Sequence, residues 1–378
     1  MKRLPSASVI ASVVLLLAST AASAQSPLTS NAQRALQWLQ CAQQQPNGQI
    51  GKGGNPVARS SEVAFSLAAA GQAASAMRTG AVSLADYLKT AVSTDVGTNG
   101  ELLLARASQP GTGPTATLAA QLQASKSISG QTAGEYGGDV FSDALAILGL
   151  RADSQAVGQD AVDFLKQQQK SDGGWSFDNA DQFGTDSNTT ALVVEALVSA
   201  AVAPDDASIT RGFDYLQTVF GQGGFGNTPG AGPDPNSDEL AIQAILAAGR
   251  QSNPTWASML NQALNYLAGQ QIPSGADAGA LSGFSELFAT TLAPAAFVLR
   301  ALTVTGLAET KVSLLACPTS TSTSPTPQPT ATRSPVTTTA RLAQTGATAD
   351  LRPPLAGLVI LLLATAILMR PRRRARRR

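Results

Sequence analysis

The sequence predicts an all-α domain built from about six helical hairpins in tandem. Aromatic-leucine pairs begin at Phe164, Tyr215 and Tyr266, and both steps between them are 51 residues long. An equal step that occurs twice marks an internal repeat. Each copy has apolar positions of helical period, then a glycine-rich turn such as Asp172 to Trp175, and then a second helix rich in alanine and leucine. The repeating unit is therefore a helical hairpin.

Weaker copies of the same unit precede these three. They are marked by Trp38-Leu39, by Tyr87-Leu88 and by the turn Tyr136-Gly137-Gly138. Hairpins in tandem bury their apolar faces either by stacking into an open solenoid or by closing into a ring. Periodicity alone leaves both arrangements open.

The sharpest copy reads QQQKSDGGW over residues 167–175, and Phe225 and Tyr136 hold the place of Trp175 in weaker copies. This pattern resembles the repeats of squalene and oxidosqualene cyclases and of protein prenyltransferases, whose helices form an α/α toroid with an inner and an outer ring. The resemblance covers most of residues 25–317. It implies an all-α domain in which an α/α toroid of about six hairpins closes on itself.

The chain has two cysteines, Cys41 near the start of this domain and Cys317 at its end. In an exported chain a disulfide is the expected state of such a pair. If the domain is a ring, its first and last hairpins are neighbours, and the disulfide would lock the closure. An alternative is a thioester, because thioester domains resemble this fold and the spacing of Cys41 and Gln44 fits their cross-link. However, Gln44 also matches the repeat glutamines at 167–169, and the Gly and Glu of the thioester motif are missing.

The N-terminus fits a cleaved signal peptide. Lys2 and Arg3 precede an apolar stretch from Val9 to Leu17, and Ala22 to Ala24 matches the small-x-small pattern of signal peptidase sites. The apolar stretch is far shorter than the roughly 20 residues that span a bilayer. We therefore expect residues 1–24 to be removed.

The C-terminus combines the pentapeptide LAQTG, an apolar run over 355–369 and an arginine-rich end. The pentapeptide consists of Leu342, Ala343, Gln344, Thr345 and Gly346. This order resembles the cell-wall sorting signal of Gram-positive bacteria, in which a sortase cleaves the Thr-Gly bond and joins the threonine to peptidoglycan. Ala343 departs from the commonest signal, which has proline there, and resembles the LAxTG variants of another sortase class. Sortase and, through Thr345, peptidoglycan are the implied partners.

An alternative for the tail is a simple membrane anchor that no sortase cuts. Seven arginines after the apolar run obey the positive-inside rule, so both alternatives leave the domain outside the cell. At about 15 residues the run is short for a permanent span, which favours a transient role in the membrane. We expect a domain displayed at the cell surface and anchored to the wall.

The processed chain is acidic and carries a spacer. Ten of the 26 basic residues and one of the 25 acidic residues lie in the segments expected to be removed, which leaves 16 and 24 and a net charge of −8. This charge argues against nucleic acid as a partner. Residues 318–341 are rich in Ser, Thr and Pro and almost without apolar side chains, so we expect a disordered stalk that reaches roughly 70 Å.

Histidine is absent from all 378 residues, which removes Ser-His-Asp and Cys-His catalysis and zinc sites with imidazole ligands. Cyclases of the resembled family protonate an alkene with a DxDD cluster, and the corresponding segment, residues 185–191, has the single carboxylate Asp186. Cobalamin carriers also resemble this toroid, but a second domain completes their site and none follows Cys317. We expect no catalytic residue, no cofactor and no metal site.

The candidates for a ligand site at the mouth of the ring are Trp175, Asp178, Asp186, Phe225 and Asp238. The two aromatic residues could equally be packing wedges between the helices. Asp186 is expected to cap the helix that begins near Thr189 and to ionise near its ordinary pKa of about 4 unless deeply buried.

Two acidic pairs have simpler interpretations than ligand binding. Asp205 and Asp206 follow a proline at a helix start, where capping is expected. The segment from Asp234 to Asp238 begins like a calcium loop, but Glu239 replaces its glycine and Ile245 its closing glutamate, so capping by Ser237 or Asp238 is the simpler expectation.

These observations favour a wall-anchored, non-enzymatic binding domain with an unidentified ligand or surface partner. A terpene-cyclase-like or other enzyme with a non-standard active site is the alternative.

Overall fold

The computed structural model describes residues 27–180 and 182–318. The expected signal peptide, the stalk after Pro318, the sorting pentapeptide and the apolar segment with its arginine-rich end lie outside these residues. Within the described ranges, no helix combines the length and apolarity that crossing a membrane requires.

Twelve α-helices follow one another in the described residues as six helical hairpins. They are α1 (Thr29–Trp38), α2 (Pro56–Ala69), α3 (Leu84–Thr90), α4 (Val96–Ser108), α5 (Ala116–Ser125), α6 (Val140–Ala152), α7 (Gln159–Gln167), α8 (Ser187–Ser199), α9 (Ala207–Thr218), α10 (Pro235–Ala247), α11 (Pro254–Gly269) and α12 (Ala293–Phe297). A π-helical turn (Leu39–Gln43) extends α1, and short 3₁₀ turns lie at Ala74–Ala76, Gly130–Thr132 and Arg250–Ser252.

The even-numbered helices form a closed inner ring. Each of them packs against the next in order, and α12 packs against α2, which closes the circle. The odd-numbered helices lie outside, and α1 packs against α12, so the first hairpin adjoins the last. The predicted α/α toroid, with inner and outer rings, is confirmed. Ring closure, rather than open stacking, buries the apolar faces of the terminal hairpins.

The inner helices begin at side-chain caps. Asn or Asp precedes five of them and accepts a hydrogen bond from a backbone amide in the first turn, which is a contribution of about 1 kcal/mol per cap. The caps are Asn55 for α2, Asp95 for α4, Asp139 for α6, Asp186 for α8 and Asp234 for α10. Because all five lie at equivalent positions, the N-terminal ends of these helices share one face of the toroid.

In α8 and in α10, a side chain of the inner helix accepts a hydrogen bond from the glycine-rich turn that precedes the helix. Trp175 N donates to Thr190 Oγ1 at 3.0 Å, and Phe225 N donates to Asp238 Oδ1 at 2.6 Å. The turns contain two short antiparallel hairpins, β1 (Trp175–Ser176) with β2 (Thr185–Asp186), and β3 (Phe220–Gly221) with β4 (Gly224–Phe225). The repeated turn therefore positions each outer helix on its inner partner.

Glycine is required in the turn because of its backbone conformation and because of close packing. Gly173 has φ = +91°, and a Cβ there would collide with the carbonyl oxygen of Arg211. The α4–α6 contact depends on Gly100 in a similar way, since a Cβ at this position would overlap the backbone of Leu145. These positions explain part of the glycine content of the repeats.

The predicted disulfide is confirmed. Cys41 and Cys317 are 276 residues apart in sequence, and their Cα atoms are 5.4 Å apart. The segment before Cys317 crosses the face of the ring opposite the helix caps: Ala308 N donates to Ala68 O at 2.8 Å, and Val312 N donates to Ala70 O at 2.8 Å. The bond therefore fastens the end of this segment to the turn that follows α1.

Candidate functional site

A cavity of about 350 Å³ lies inside the inner ring. Most of its lining residues come from the first turns of the inner helices and the loops before them, so it opens at the capped face. Phe183 and Phe288, which are 41% and 45% exposed, lie at this opening. Leu302 lines the opposite end, which the C-terminal segment covers. The cavity is therefore a closed-bottomed cup.

The wall of the cup is mainly apolar and aromatic. Phe141, Phe177 and Phe183 form a chain of rings, with centroid distances of 5.7 Å for the first pair and 6.5 Å for the second. Phe65 adds a fully buried ring from α2. Such a surface gains free energy by burying the apolar part of a ligand, at about 25 cal/mol per Å².

Carboxyl groups from three inner helices reach into the same cup. They belong to Glu62 on α2, Glu101 on α4 and Glu239 on α10. Sequence reasoning did not select any of them, since they occur seven, six and five residues after their respective caps and follow no shared spacing.

Arg59 is the one cationic residue among the described residues that line the cup. Its Nη1 lies 2.6 Å from Glu62 Oε2, and its guanidinium carbon lies 4.2 Å from the centre of the Phe288 ring. The arginine therefore neutralises Glu62 and holds Phe288 over the opening by a cation–π contact.

Burial raises the pKa values of the glutamates in the cup. Desolvation, helped by the nearby charge of Glu62, raises the pKa of Glu101 to about 8. Desolvation also raises the pKa of Glu239 well above its ordinary value. The pKa of Glu62 is raised by burial too, although Arg59 opposes the shift. At neutral pH, the carboxyl group of Glu101 is therefore mostly protonated.

Asp186 is the sequence candidate that lines the cup. It caps α8, as predicted, and accepts hydrogen bonds at 2.8 Å from Thr189 N and at 2.8 Å from Thr189 Oγ1. The exception made for deep burial applies, because burial raises the pKa of Asp186 to about 6 and its hydrogen bonds only partly offset this. Asp186 is still mostly ionised at neutral pH.

The other four candidates do not line the cup. Trp175 and Phe225 are fully buried, and Trp175 Nε1 donates to Leu165 O at 2.7 Å, so both rings pack between inner and outer helices. Asp238 is also fully buried and holds the amide of Phe225. Asp178 accepts a hydrogen bond from Gln182 N at 3.0 Å within the loop before α8.

The residues on which the thioester and calcium alternatives depend have structural roles instead. Gln44 is buried and donates to Met77 O at 2.9 Å, as a repeat glutamine, while Cys41 is in the disulfide. In the calcium-like segment, the cap of α10 is Asp234, which accepts from Ser237 N at 3.1 Å. The expectation that Ser237 or Asp238 would cap this helix is therefore wrong by a few residues.

Of the adjacent acids Asp205 and Asp206, the second is the helix cap that the sequence predicted. Asp206 caps α9 by accepting from Ser208 N at 2.9 Å, and Lys166 Nζ lies 2.8 Å from its Oδ2. These contacts lower the pKa of Asp206 to about 2. They lie on the outer ring, away from the cup.

No protein-family model matches this sequence, and no match is found among curated proteins. Among solved structures, the chain is similar to two forms of the type II terpene cyclase MstE from Scytonema, each in complex with its substrate, geranylgeranyl dihydroxybenzoate. The TM-scores are 0.52 and 0.50 at 15% and 14% sequence identity, over 73% and 72% of this chain and 98% and 96% of the cyclase chains. At such identities the likeness concerns the fold, and this chain has the α/α toroid fold of the type II terpene cyclases.

Proposed function

We propose that this protein is a surface-displayed binding domain that holds an apolar small molecule in its ring cavity and does not convert it. The observation that carries the proposal is the cup itself, with aromatic walls, a bottom covered by Leu302 and an opening bordered by exposed phenylalanine rings. Small-molecule sites in proteins are concave and mostly apolar, with a few polar groups that orient the ligand.

The carboxyl groups of the cup support binding over alkene protonation. Glu101 holds a proton at neutral pH, but a pKa of about 8 makes it a much weaker acid than an ordinary glutamic acid. Protonation of an alkene needs a strong acid, and proton transfer becomes slower as the acid weakens. A neutral Glu101 is better suited to hydrogen bonding with a ligand than to starting a cyclisation.

The test of binding is calorimetric titration of the purified protein with straight-chain alcohols of increasing length, at neutral pH. We expect affinity to increase with length until the cup is full. Leu240→Asp, which places a charge on the cup wall, should abolish binding, whereas Val92→Asp at an exposed surface position (81% exposed) should not affect it. Absence of binding by any chain length contradicts the proposal.

An acid-catalysed cyclase is the second candidate. Two observations favour it: a proton-bearing carboxyl group in an aromatic-walled cavity, and the fold of a cyclase that takes a geranylgeranyl substrate. Incubation with squalene and with geranylgeranyl dihydroxybenzoate, followed by mass spectrometry, distinguishes the two. A cyclised product made by the wild type and lost in Glu101→Gln or Asp186→Asn establishes the enzyme and overturns the binding proposal.

We also propose that the protein is secreted, with removal of residues 1–24, and is joined to peptidoglycan through Thr345 by a sortase. The order of the LAQTG pentapeptide, the apolar run and the arginines supports this. Digested cell walls should then yield a peptide that ends at Thr345 linked to a peptidoglycan stem. Recovery of chains with intact residues 355–369 in membranes, and none on the wall, supports the uncut tail anchor instead.

A further inference from the structure

Acidic side chains outnumber basic side chains in the lining of the cup. Four carboxyl side chains, those of Glu62, Glu101, Asp186 and Glu239, line it within the described residues, against the single guanidinium of Arg59. Burying uncompensated acidic groups costs free energy unless a partner is supplied. The cup therefore has more acceptors than its own donors satisfy.

Two of the four carboxyl groups already have partners. Arg59 pairs with Glu62 at 2.6 Å, and Asp186 is held by the amide and hydroxyl of Thr189. Glu239 differs, because its side chain is 1% exposed and its Oε1 has no hydrogen-bond partner within the described residues. Glu101 also lines the cup, and its pKa is shifted by burial and by the charges of neighbouring groups.

We propose that the ligand carries a positively charged amine, which binds at Glu101 and Glu239 while the apolar part of the ligand lies against the phenylalanine rings. This inference rests on the binding function proposed above. An ammonium group supplies up to three hydrogen-bond donors, which the carboxyl oxygens lack, and aromatic faces attract cations. A metal ion fits less well, since no three acidic side chains of the described residues are arranged to hold one.

An anionic ligand fits least well. The one guanidinium in the cup is already engaged by Glu62 on one side and by the Phe288 ring on another. A carboxylate or phosphate would also share a low-dielectric space with the mostly ionised Asp186, where like charges repel strongly.

Binding of an amine at this site releases a proton. At neutral pH Glu101 is protonated, and an incoming ammonium favours its ionised form, so the carboxyl proton leaves to solvent as the ion pair forms. Glu62 and Arg59 from α2 and Asp95 from its own helix act on Glu101, with Arg59 opposing the two acids. The balance of these charges is negative, which strengthens the attraction for a cation.

Further charged groups lie on the elements that pack beside the two glutamates. On α6, beside α4, Asp143 is held by the amide of Tyr136, and Asp139, which caps this helix, is held by Ser142. Asp234 and Asp238, at the start of α10, act electrostatically on Glu239, as does Glu62 from α2, and Arg59 opposes these acids. Arg59, which is paired with Glu62, is therefore the one cationic group among the described residues that acts on either glutamate.

The test is calorimetric titration of the purified protein with octylamine, octanol and octanoate, in buffers of different ionisation enthalpy. We expect octylamine to bind about tenfold or more tightly than octanol, with release of about one proton per amine near pH 7. Octanol should bind without proton release. Octanoate should bind most weakly.

Glu101→Gln should remove the proton release and the preference for amine, so that octylamine and octanol bind this variant with affinities within a factor of about two of each other. Glu309→Gln, which removes one exposed carboxylate, is the matched control and should behave as wild type. Equal affinity for octylamine and octanol, without proton release, overturns the amine inference but leaves apolar binding intact. Tighter binding of octanoate than of octylamine has the same consequence. Failure of all three compounds to bind overturns both proposals.

Discussion

Glu195 Oε2 accepts a hydrogen bond at 3.0 Å from the backbone amide of Leu302, 107 residues further along the chain. The contact joins the middle of inner helix α8 to the C-terminal segment that forms the bottom of the cup. Leu302 also lines a second, smaller cavity of about 140 Å³ near the C-terminal ends of α6 and α8. Leu302 therefore lines both cavities.

Truncation of the Leu302 side chain should destabilise the folded domain. Leu302 is 4% exposed, and Leu302→Ala is expected to lower the free energy of unfolding by about 2–4 kcal/mol, since it removes buried apolar contacts and enlarges the empty space beside two existing cavities. Urea denaturation measures the change. Leu307→Ala, at a 40% exposed position in the same segment, is the control and should change it by less than about 0.5 kcal/mol. Equal effects of the two substitutions contradict the role given to Leu302.

Stability should fall as the pH rises from mildly acidic to alkaline values. Burial raises the pKa of both Glu101 and Glu195 to about 8, from 4.5. The folded state therefore holds these protons more tightly than the unfolded state, and the associated stability is lost as the pH rises from about 4.5 to above about 8. Urea denaturation at a series of pH values should show this decline.

Glu101→Gln should flatten part of the decline and make the protein more stable than wild type above pH 8, because glutamine does not ionise. Glu309→Gln, at an exposed position, should leave the curve unchanged. A Glu101→Gln curve parallel to that of the wild type contradicts the assignment of a raised pKa to this residue.

Asp186→Ala should lower the free energy of unfolding by about 1 kcal/mol, since it leaves the first turn of α8 without its cap. Asp186→Asn, which keeps an acceptor oxygen, should cost less. Thermal unfolding followed by circular dichroism compares the two. No difference between the alanine variant and wild type contradicts the capping role.

Removal of the disulfide should be among the most destabilising changes. The double substitution Cys41→Ser with Cys317→Ser opens a loop whose ends are 276 residues apart. In the chain-entropy treatment this corresponds to a loss of up to about 5 kcal/mol. Denaturation of the double variant beside reduced and oxidised wild type measures it. Free thiols in the folded, oxidised wild type contradict the pairing itself.

The repeat made the architecture predictable from the sequence. Equal spacing of Phe164, Tyr215 and Tyr266 gave the hairpins, and the turn that ends at Trp175 identified the ring. The cysteines at the two ends of the domain then became neighbours by closure. These features depend on local patterns that each hairpin carries by itself.

The polar groups of the cup were not predictable in this way. Glu62, Glu101 and Glu239 lie at different distances from their helix caps, so no spacing in the sequence relates them. They share one space because α2, α4 and α10 face the same lumen once the ring is closed, and α12 between α10 and α2 has only five residues. The raised pKa of Asp186 could not be read from the sequence for the same reason, because the burial of this residue is a property of the closed ring.

The position of the disulfide also determines how the domain bears mechanical load. In the proposed wall-anchored chain, residues 319–345 join the domain to the wall, so tension on them would enter the domain at Cys317. With the bond intact, the force passes directly to Cys41, beside outer helix α1, and the segment between Leu302 and Cys317 carries none of it. Without the bond, the same pull would strip Val312 from Ala70 and then draw on Leu302. The disulfide thus protects the segment that forms the bottom of the cup from tensile force.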